Sequence, residues 1–441
     1  MEWKNKKVLV MGLGTHGGGV GAARYLAKKG AQVRVTDLKT ASQLAPSLEK
    51  LTSFSISFTL GEHRPEDFLE AQVVVRNPDV PQDSPFLKIA KKHGAKIEME
   101  SSIFFEELPS SKTIGITGTK GKTTTTLLIY QMLKEAGKRV VVGGNLEISL
   151  LELLPEIDEN TWVVTELSSW QTEGLKICQK SPHIAVITNI FPDHLNRYQS
   201  MEKYVEAKKL ILKYQDKNDY KVLNRNNPYT EELSLASPSQ NFFFAKKNLN
   251  PKIRQAASLL GEHNLENLAA METVGKILGI KIETMVKTAR KFSPPPHRLE
   301  KAREIDGVVF YNDSAATNPD AAMAAIDSFG QEPIIWILGG ADKNLNFEKL
   351  AIASLEKNIK AAVLLSGSAT PKIEKAFKKA QFSFPLFGPY NNLKQAVEKA
   401  YLAAKKEKNA IVLLSPAAAS FGMFKNEFDR GEKFKKIVNS L

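Results

Sequence analysis

The chain has 441 residues, a single cysteine, Cys178, and a formal net charge of +13. That length supplies roughly two to four domains with cores of their own; one cysteine excludes a disulfide framework, and no uncharged apolar run reaches the roughly 18 residues needed to cross a bilayer. The lysines behind the net charge are scattered along amphipathic stretches such as residues 372–379 and 405–408, which suits solvated helix faces and polyanionic small substrates better than a nucleic-acid partner. Residues 1–7 run straight into a strand with no secretory leader, so a cytoplasmic protein with no membrane insertion is expected.

Residues 7–11 read as a buried strand, followed by Gly12-Leu13-Gly14-Thr15-His16-Gly17, a helix over about residues 21–29, and a second strand over residues 32–36 that ends on Asp37. This is the G-x-G-x-x-G pattern with an acidic residue about 20 positions later, in which a helix N-terminus holds a diphosphate and the carboxylate holds a ribose hydroxyl. Taken alone it suits a dehydrogenase, although any nucleotide diphosphate can use the same groups. Residues 73–75 form a short apolar strand, and Arg76-Asn77-Pro78-Asp79-Val80-Pro81 is a Pro-punctuated loop after it. Strands alternate with helices to about Phe105, and residues 106–112, with Pro109, Ser110 and Ser111, read as a linker.

A second domain opens on a strand over residues 112–116 and the run Gly118-Thr119-Lys120-Gly121-Lys122-Thr123-Thr124. After it, Leu127, Leu128, Met132 and Leu133 recur at helical spacing, so the glycines lie at a strand-to-helix turn. There the backbone can curl around phosphate oxygens, Lys122 can meet the terminal phosphates, and the Thr123 hydroxyl can ligate an accompanying magnesium ion. The strict phosphate-loop pattern fails at its first position, which falls on Ile116. Strands over residues 140–142, 162–165 and 184–188 each precede a polar cluster: Gly143-Gly144-Asn145, Glu166-Leu167-Ser168-Ser169-Trp170-Gln171, and residues 189–198. Ligands gather at the carboxyl ends of parallel strands, so the chemistry is expected on these loops. Glu166 can reach a magnesium ion held by Thr123, His194 stands between Asp193 and Asn196, and Lys208 reads from its neighbours as a solvated helix lysine.

Residues 291–298, with Pro294, Pro295 and Pro296, form a second, stiffer linker. Strands over residues 308–311, 334–338, 361–365 and 410–414 then alternate with helices, so the third domain also reads as a parallel sheet. The expected fold is α/β in three domains: an N-terminal Rossmann-like domain (1–108), a central P-loop ATPase-like parallel-sheet domain (109–295) and a C-terminal Rossmann-like domain (296–441). At this level an ATP-dependent ligase, a dinucleotide-dependent dehydrogenase, a nucleotide-sensing module and a nucleic-acid motor all stay open.

The phosphate loop, the three polar clusters, Gly261-Glu262-His263-Asn264 with Asn267, His297-Arg298, Asn312-Asp313-Ser314 with Thr317-Asn318, Gly339-Gly340 with Asp342-Lys343, and Ser415-Pro416-Ala417 with Ser420 occur in one order. Together they resemble the Mur ligases, ATP-dependent amide-forming enzymes of peptidoglycan synthesis, and the Glu-Leu-Ser-Ser-x-Gln element resembles their D-glutamate-adding branch. The resemblance implies a monomeric enzyme acting on UDP-N-acetylmuramoyl-L-alanine, D-glutamate and ATP with two magnesium ions. It reassigns the first fingerprint, so that Thr15, His16, Gly17, Asp37, Asn77, Asn145 and His194 hold the uridine-linked sugar. ATP falls to Gly118, Thr119, Lys120, Gly121, Lys122, Thr123 and Thr124, with Asn264, Asn267, Arg298 and Asp313. Magnesium falls to Thr123, Glu166, His194 and Lys208, the last as a carbamate, and Thr317, Lys343 and Ser420 receive the amino acid's carboxylates. Lys122, His194 and Lys208 carry the catalysis. A folylpolyglutamate-type ligase shares the phosphate loop and modified lysine, but residues 12–37 are a separate nucleotide site that argues against it. Two positions depart from the family pattern near the amino-acid pocket: Ala315 stands where lysine is usual, and Glu427 where an aromatic is usual.

Overall fold

The computed structural model describes residues 2–15, 17–146 and 148–441. The first sheet contains β1 (Lys7–Met11), β2 (Gln32–Asp37), β3 (Ile56–Leu60), β4 (Val73–Arg76) and β5 (Lys96–Glu98), all parallel, in the order β3-β2-β1-β4-β5. Because helices cover both faces, β1 is apolar throughout its centre: Val8 and Val10 face one core, Leu9 and Met11 the other. The strand order reverses between β1 and β4, so the glycine loop after β1 and the loop after β4 flank one crevice. The helix after β1 is Gly18–Lys28, starting three residues earlier than the sequence pattern suggests.

The second sheet contains β6 (Thr113–Thr117), β7 (Val140–Gly144), β8 (Trp162–Glu166), β9 (Ile184–Ile187), β10 (Tyr220–Asn224) and β11 (Gln240–Phe244), again all parallel, in the order β11-β10-β9-β6-β8-β7. The expected linker is shorter than its composition suggests, because Glu106 and Glu107 finish the helix Glu100–Glu107. Ile103, Phe104 and Phe105 of that helix belong to one apolar cluster that also takes in Val10 of the first sheet and Leu150 and Ile187 of the second domain.

The third sheet contains β12 (Glu300–Ile305), β13 (Val308–Asn312), β14 (Ile334–Gly339), β15 (Ile359–Leu365), β16 (Leu386–Tyr390) and β17 (Ile411–Leu414), in the order β12-β13-β17-β14-β15-β16. It corrects the all-parallel expectation, since β12 pairs antiparallel with β13. Asp306 and Gly307, at φ 52° and 75°, make a two-residue turn whose twist matches a hairpin.

The chain divides into two compact units: Met1–Ala256 with Leu265–Arg290, carrying the first two sheets, and Ala257–Asn264 with Lys291–Leu441, carrying the third. Among the described residues no helix is long and apolar enough to cross a membrane.

Candidate active site

The phosphate loop is shaped by close approach. Gly118 has φ 150°, and a Cβ there would lie 1.9 Å from Thr188 Oγ1; Gly121 has φ 81°, and a Cβ there would lie 2.3 Å from Asn267 Oδ1. Only glycine satisfies both demands at each position. Asn189 clamps the loop, its carbonyl accepting from the Thr119 amide at 2.8 Å and its Oδ1 from the Lys120 amide at 2.9 Å. Gly121 then starts the helix Lys122–Glu135 with no side-chain cap. Its first amides, beside half-buried Thr123 and Thr124, suit an anion. Lys122 Nζ arches back to donate to the Gly118 and Thr119 carbonyls, both at 3.1 Å. Asn267 Oδ1 accepts from Thr125 Oγ1 at 3.1 Å, which brings this candidate to the same turn.

Glu166 ends β8, the strand beside the phosphate-loop strand β6. Its Oε1 accepts from Asn145 Nδ2 at 2.8 Å. Its Oε2 is buried and has no hydrogen-bond partner. A buried carboxylate oxygen left this way needs a cation, and a hard oxygen donor beside a phosphate loop fits magnesium. Among the described residues no group of three or more His, Cys, Asp or Glu side chains forms a cage of its own.

Lys208 corrects the solvated-lysine reading: it is 1% exposed. The helix Met201–Lys209 turns Tyr204 and Lys208 inward together, because residues four apart share a helix face. The Lys208 Nζ lies 4.7 Å from the centre of the Tyr204 ring and donates to the Gly118 carbonyl at 2.8 Å. Burial, reinforced by Lys122, drives its pKa well below the ordinary lysine value against the opposing pull of Asp193 and Glu166. His194, at φ 52°, is the N-cap of the short helix Leu195–Tyr198 and lies 5.3 Å, ring to ring, from Trp170. Partial desolvation, with Lys122, Lys208 and Lys120 nearby, lowers its pKa although Asp193 opposes the change, so the imidazole keeps a lone pair at neutral pH.

At the first sheet Asp37 is buried, with Oδ2 accepting from the Gly14 amide at 3.0 Å and Oδ1 from the Lys39 amide at 2.9 Å. Across the crevice, Asn77 Nδ2 donates to the Gly12 carbonyl at 3.1 Å. Thr15 is exposed, and Gly17 precedes the helix Gly18–Lys28 without a side-chain cap. His16 lies outside the described residues.

The remaining candidates belong to the second unit. Asp313, at the end of β13, accepts from Ser415 Oγ at 2.8 Å and from the Leu299 amide at 3.2 Å, and burial pushes its pKa up to about 7. Thr317, Lys343 and Ser420 stand on loops after β13, β14 and β17, which are neighbours in the sheet. The latter two loops are joined where the Ala341 amide donates to the Ala419 carbonyl at 2.9 Å. Ser420 Oγ is buried without a partner, and Lys343 is exposed, 6.0 Å from the Phe421 ring. Arg298 is exposed, and Asn264 Nδ2 donates to the Leu260 carbonyl at 2.6 Å.

Sequence reasoning missed Arg430, which is fully buried. Its Nε and Nη2 donate to Oγ and O of Ser314, both at 2.9 Å, and Nη1 reaches the Ala418 carbonyl at 3.3 Å. It therefore ties the loop bearing Asp313 and Thr317 to the loop bearing Ser420. Its only signal was an arginine on the buried stripe of the helix Glu427–Ser440.

The chain matches three descriptions in succession: Mur ligase MurD-like, N-terminal domain, over residues 6–98; Mur ligase middle domain, over 116–285; and Mur ligase, glutamate ligase domain, over 297–418. It is 44% identical to the UDP-N-acetylmuramoylalanine–D-glutamate ligase of Roseiflexus sp. (strain RS-1), covering 100% of both chains. It is 37% identical to the protein of the same name from Acetivibrio thermocellus, covering 99% of this chain and 97% of that one. Among solved structures, UDP-N-acetylmuramate-alanine ligase from Thermotoga maritima aligns with a TM-score of 0.62 at 19% identity, covering 98% of this chain and 99% of that one, a likeness of fold alone. With its glycine loops, its sheet orders and these full-length likenesses in agreement, the chain belongs to the Mur ligase family.

Proposed function

We propose that this protein is an ATP-dependent ligase that joins D-glutamate to UDP-N-acetylmuramoyl-L-alanine, working as a cytoplasmic monomer in peptidoglycan precursor synthesis. In this reading its functional domains are 1–108, 109–295 and 296–441. The observation that carries the reading is the partnerless, buried Glu166 Oε2 beside an uncapped glycine loop, in a chain whose full-length relatives bear that ligase's name.

A free carboxylate is a poor electrophile, so the alanyl carboxylate must first take the γ-phosphoryl group as an acyl phosphate, from which the amine of D-glutamate displaces phosphate. The amides at the start of the helix Lys122–Glu135 cradle the phosphates. Lys122 exchanges its two loop carbonyls for the terminal phosphate as negative charge gathers there. Bound magnesium would supply charge neutralisation; Thr123, Glu166, His194 and Lys208 would hold it. Carbamylation suits Lys208, since a bare ammonium would repel the ion, whereas its carbon dioxide adduct offers hard oxygens. Asp37, Asn77 and residues 15–17 hold the uridine nucleotide, and Asn145 with His194 guides the sugar's far end. Asn264, Asn267, Arg298 and Asp313 hold ATP, and Thr317, Lys343 and Ser420 receive the two carboxylates of the acceptor.

The test is phosphate release with ATP, the uridine-linked muramoyl-alanine and a panel of D- and L-amino acids. Turnover should require D-glutamate, and a preference for a neutral amino acid would overturn the assignment.

A further inference from the structure

Arg197 performs no role in the site described above, yet it joins the two halves of the first unit. Its Nη2 donates to the Pro78 carbonyl at 2.8 Å and its Nη1 to the Asp79 carbonyl at 3.4 Å. Both acceptors lie on the loop after β4 that begins with Asn77. The guanidinium carbon lies over the Trp170 ring, 4.5 Å from its centre, and that ring lies 5.3 Å from His194. Glu173 completes the junction, with Oε1 3.6 Å from Arg197 Nη2 and Oε2 2.6 Å from Arg76 Nη2. Arg76 Nη1 in turn donates to the Val80 carbonyl at 2.6 Å. Three consecutive carbonyls of a first-domain loop are thus held by two guanidinium groups, and a single carboxylate of the central domain binds both.

Arg76 and Glu173 are 3% and 8% exposed, so their pair is shielded from water and from salt, while Arg197, at 20%, closes the outer side of the junction. Charge-assisted hydrogen bonds in such a setting fix geometry as well as add energy. The geometry matters because the sugar substrate is bound at one end and reacts at the other. Any slippage of the loop bearing Asn77 relative to His194 would misplace the reacting carboxylate, and an error of about 1 Å at a reacting centre can cost on the order of 10² in rate.

We infer that Arg197 is a positioning residue: it sets the register between the nucleotide-holding loop of the first domain and the loop carrying His194, and so delivers the substrate's carboxylate to the phosphate loop. The inference rests on the ligase reading. Lysine cannot replace it fully, because an ammonium lacks the planar fork that reaches two carbonyls while lying over an indole.

The experiment is steady-state kinetics, with each substrate varied in turn, on the wild type, R197A, R197K, N77A and the R197A/N77A pair, with thermal melts alongside. R197A should raise KM for the uridine-linked sugar about tenfold or more and lower kcat, while KM for ATP stays within about twofold. R197K should recover part of the loss. The double variant should be less impaired than the product of its singles, because Arg197 acts through the loop that holds Asn77. An R197A enzyme with an unchanged sugar KM, one whose sugar and ATP constants rise equally, or a strictly multiplicative double variant would overturn the inference. Should R197A fail to fold, E173Q keeps both arginines and the shape of the junction and must show the same selective rise; its absence is likewise a refutation. An inactive wild type would sink the ligase reading itself, whereas an active wild type with an unaffected R197A sinks only this one.

Discussion

Lys208 donates to the carbonyl oxygen of Gly118 at 2.8 Å, so a buried amine whose charged form is disfavoured rests against the backbone of the loop proposed to receive phosphate. Lys122 donates to the same oxygen at 3.1 Å. Two lysine amines thus share one carbonyl, only one of them at the loop's own helix, and the charge on Lys122 is part of what disfavours the charged form of Lys208.

Lys208→Ala should be nearly inactive, with a loss on the order of 10² or more in kcat. Added acetate or another small carboxylic acid should restore part of it by filling the vacated space with hard oxygens. Carbon-13 spectra of the wild type under labelled bicarbonate should carry a carbamate signal that Lys208→Ala lacks. A fully active enzyme without that signal would remove the carbamate.

Lys122→Ala should abolish phosphate release, by on the order of 10² or more, while leaving the melting temperature nearly unchanged. Among its contacts this lysine gives two hydrogen bonds to loop carbonyls. Near-normal turnover would refute the phosphate-loop assignment.

Asp37→Ala should act twice. Loss of an acceptor shared by the Gly14 and Lys39 amides should cost about 1–2 kcal/mol in urea melts. The apparent KM for the uridine substrate should rise, with that for ATP unchanged. An equal effect on ATP, or measurable binding of a nicotinamide dinucleotide, would count against the sugar site.

Glu100 sets a pH dependence of stability. It accepts from Ser149 Oγ at 2.5 Å and the Leu150 amide at 2.9 Å, and burial raises its pKa from 4.5 to about 7. The folded state therefore keeps a proton that the unfolded chain releases first. Its contribution is whole below about pH 4.5, declines above it, and is lost as pH rises through about 7, a swing of roughly 3 kcal/mol. Glu100→Gln, which cannot ionise, should flatten that stretch of the profile and be more stable than the wild type at pH 8. Urea melts at pH 5 and pH 8 would show it, and a Gln variant weaker than the wild type at pH 8 would contradict it.

Lys343→Ala should raise KM for D-glutamate about tenfold or more, because an acceptor bringing two carboxylates needs a cation to offset their desolvation. The side chain is exposed, so stability should change by no more than about 0.5 kcal/mol. Unchanged use of D-glutamate would move the carboxylate site elsewhere, with Ala315 and Glu427 the first positions to test.

The two glycine turns, after β1 and after β6, were legible because each works through neighbouring residues: a turn is made by adjacent φ angles, and Gly17 and Gly121 each sit with positive φ at a helix start. The Asp306-Gly307 hairpin was equally local, and its composition announced a turn that the all-parallel expectation passed over. Lys208 was half legible. Its spacing from Tyr204 placed both on one helix face, but nothing in the string said that the face was inward.

The sequence by itself determined the three α/β domains, the two glycine loops at strand-to-helix turns and the order of the polar clusters, since strand and helix periodicity and turn chemistry act over a few residues. Only the tertiary structure decided that Glu166 keeps one oxygen unpartnered, that Arg430 is buried beneath the loops of the third sheet, and that Arg76, Glu173 and Arg197 meet. The residues of the Arg76–Glu173 pair stand 97 positions apart, and those of the Arg430–Ser314 pair 116. Their burial and pairing come from sheets closing over them, and a charged residue on a helix carries no local mark of which way that helix will face.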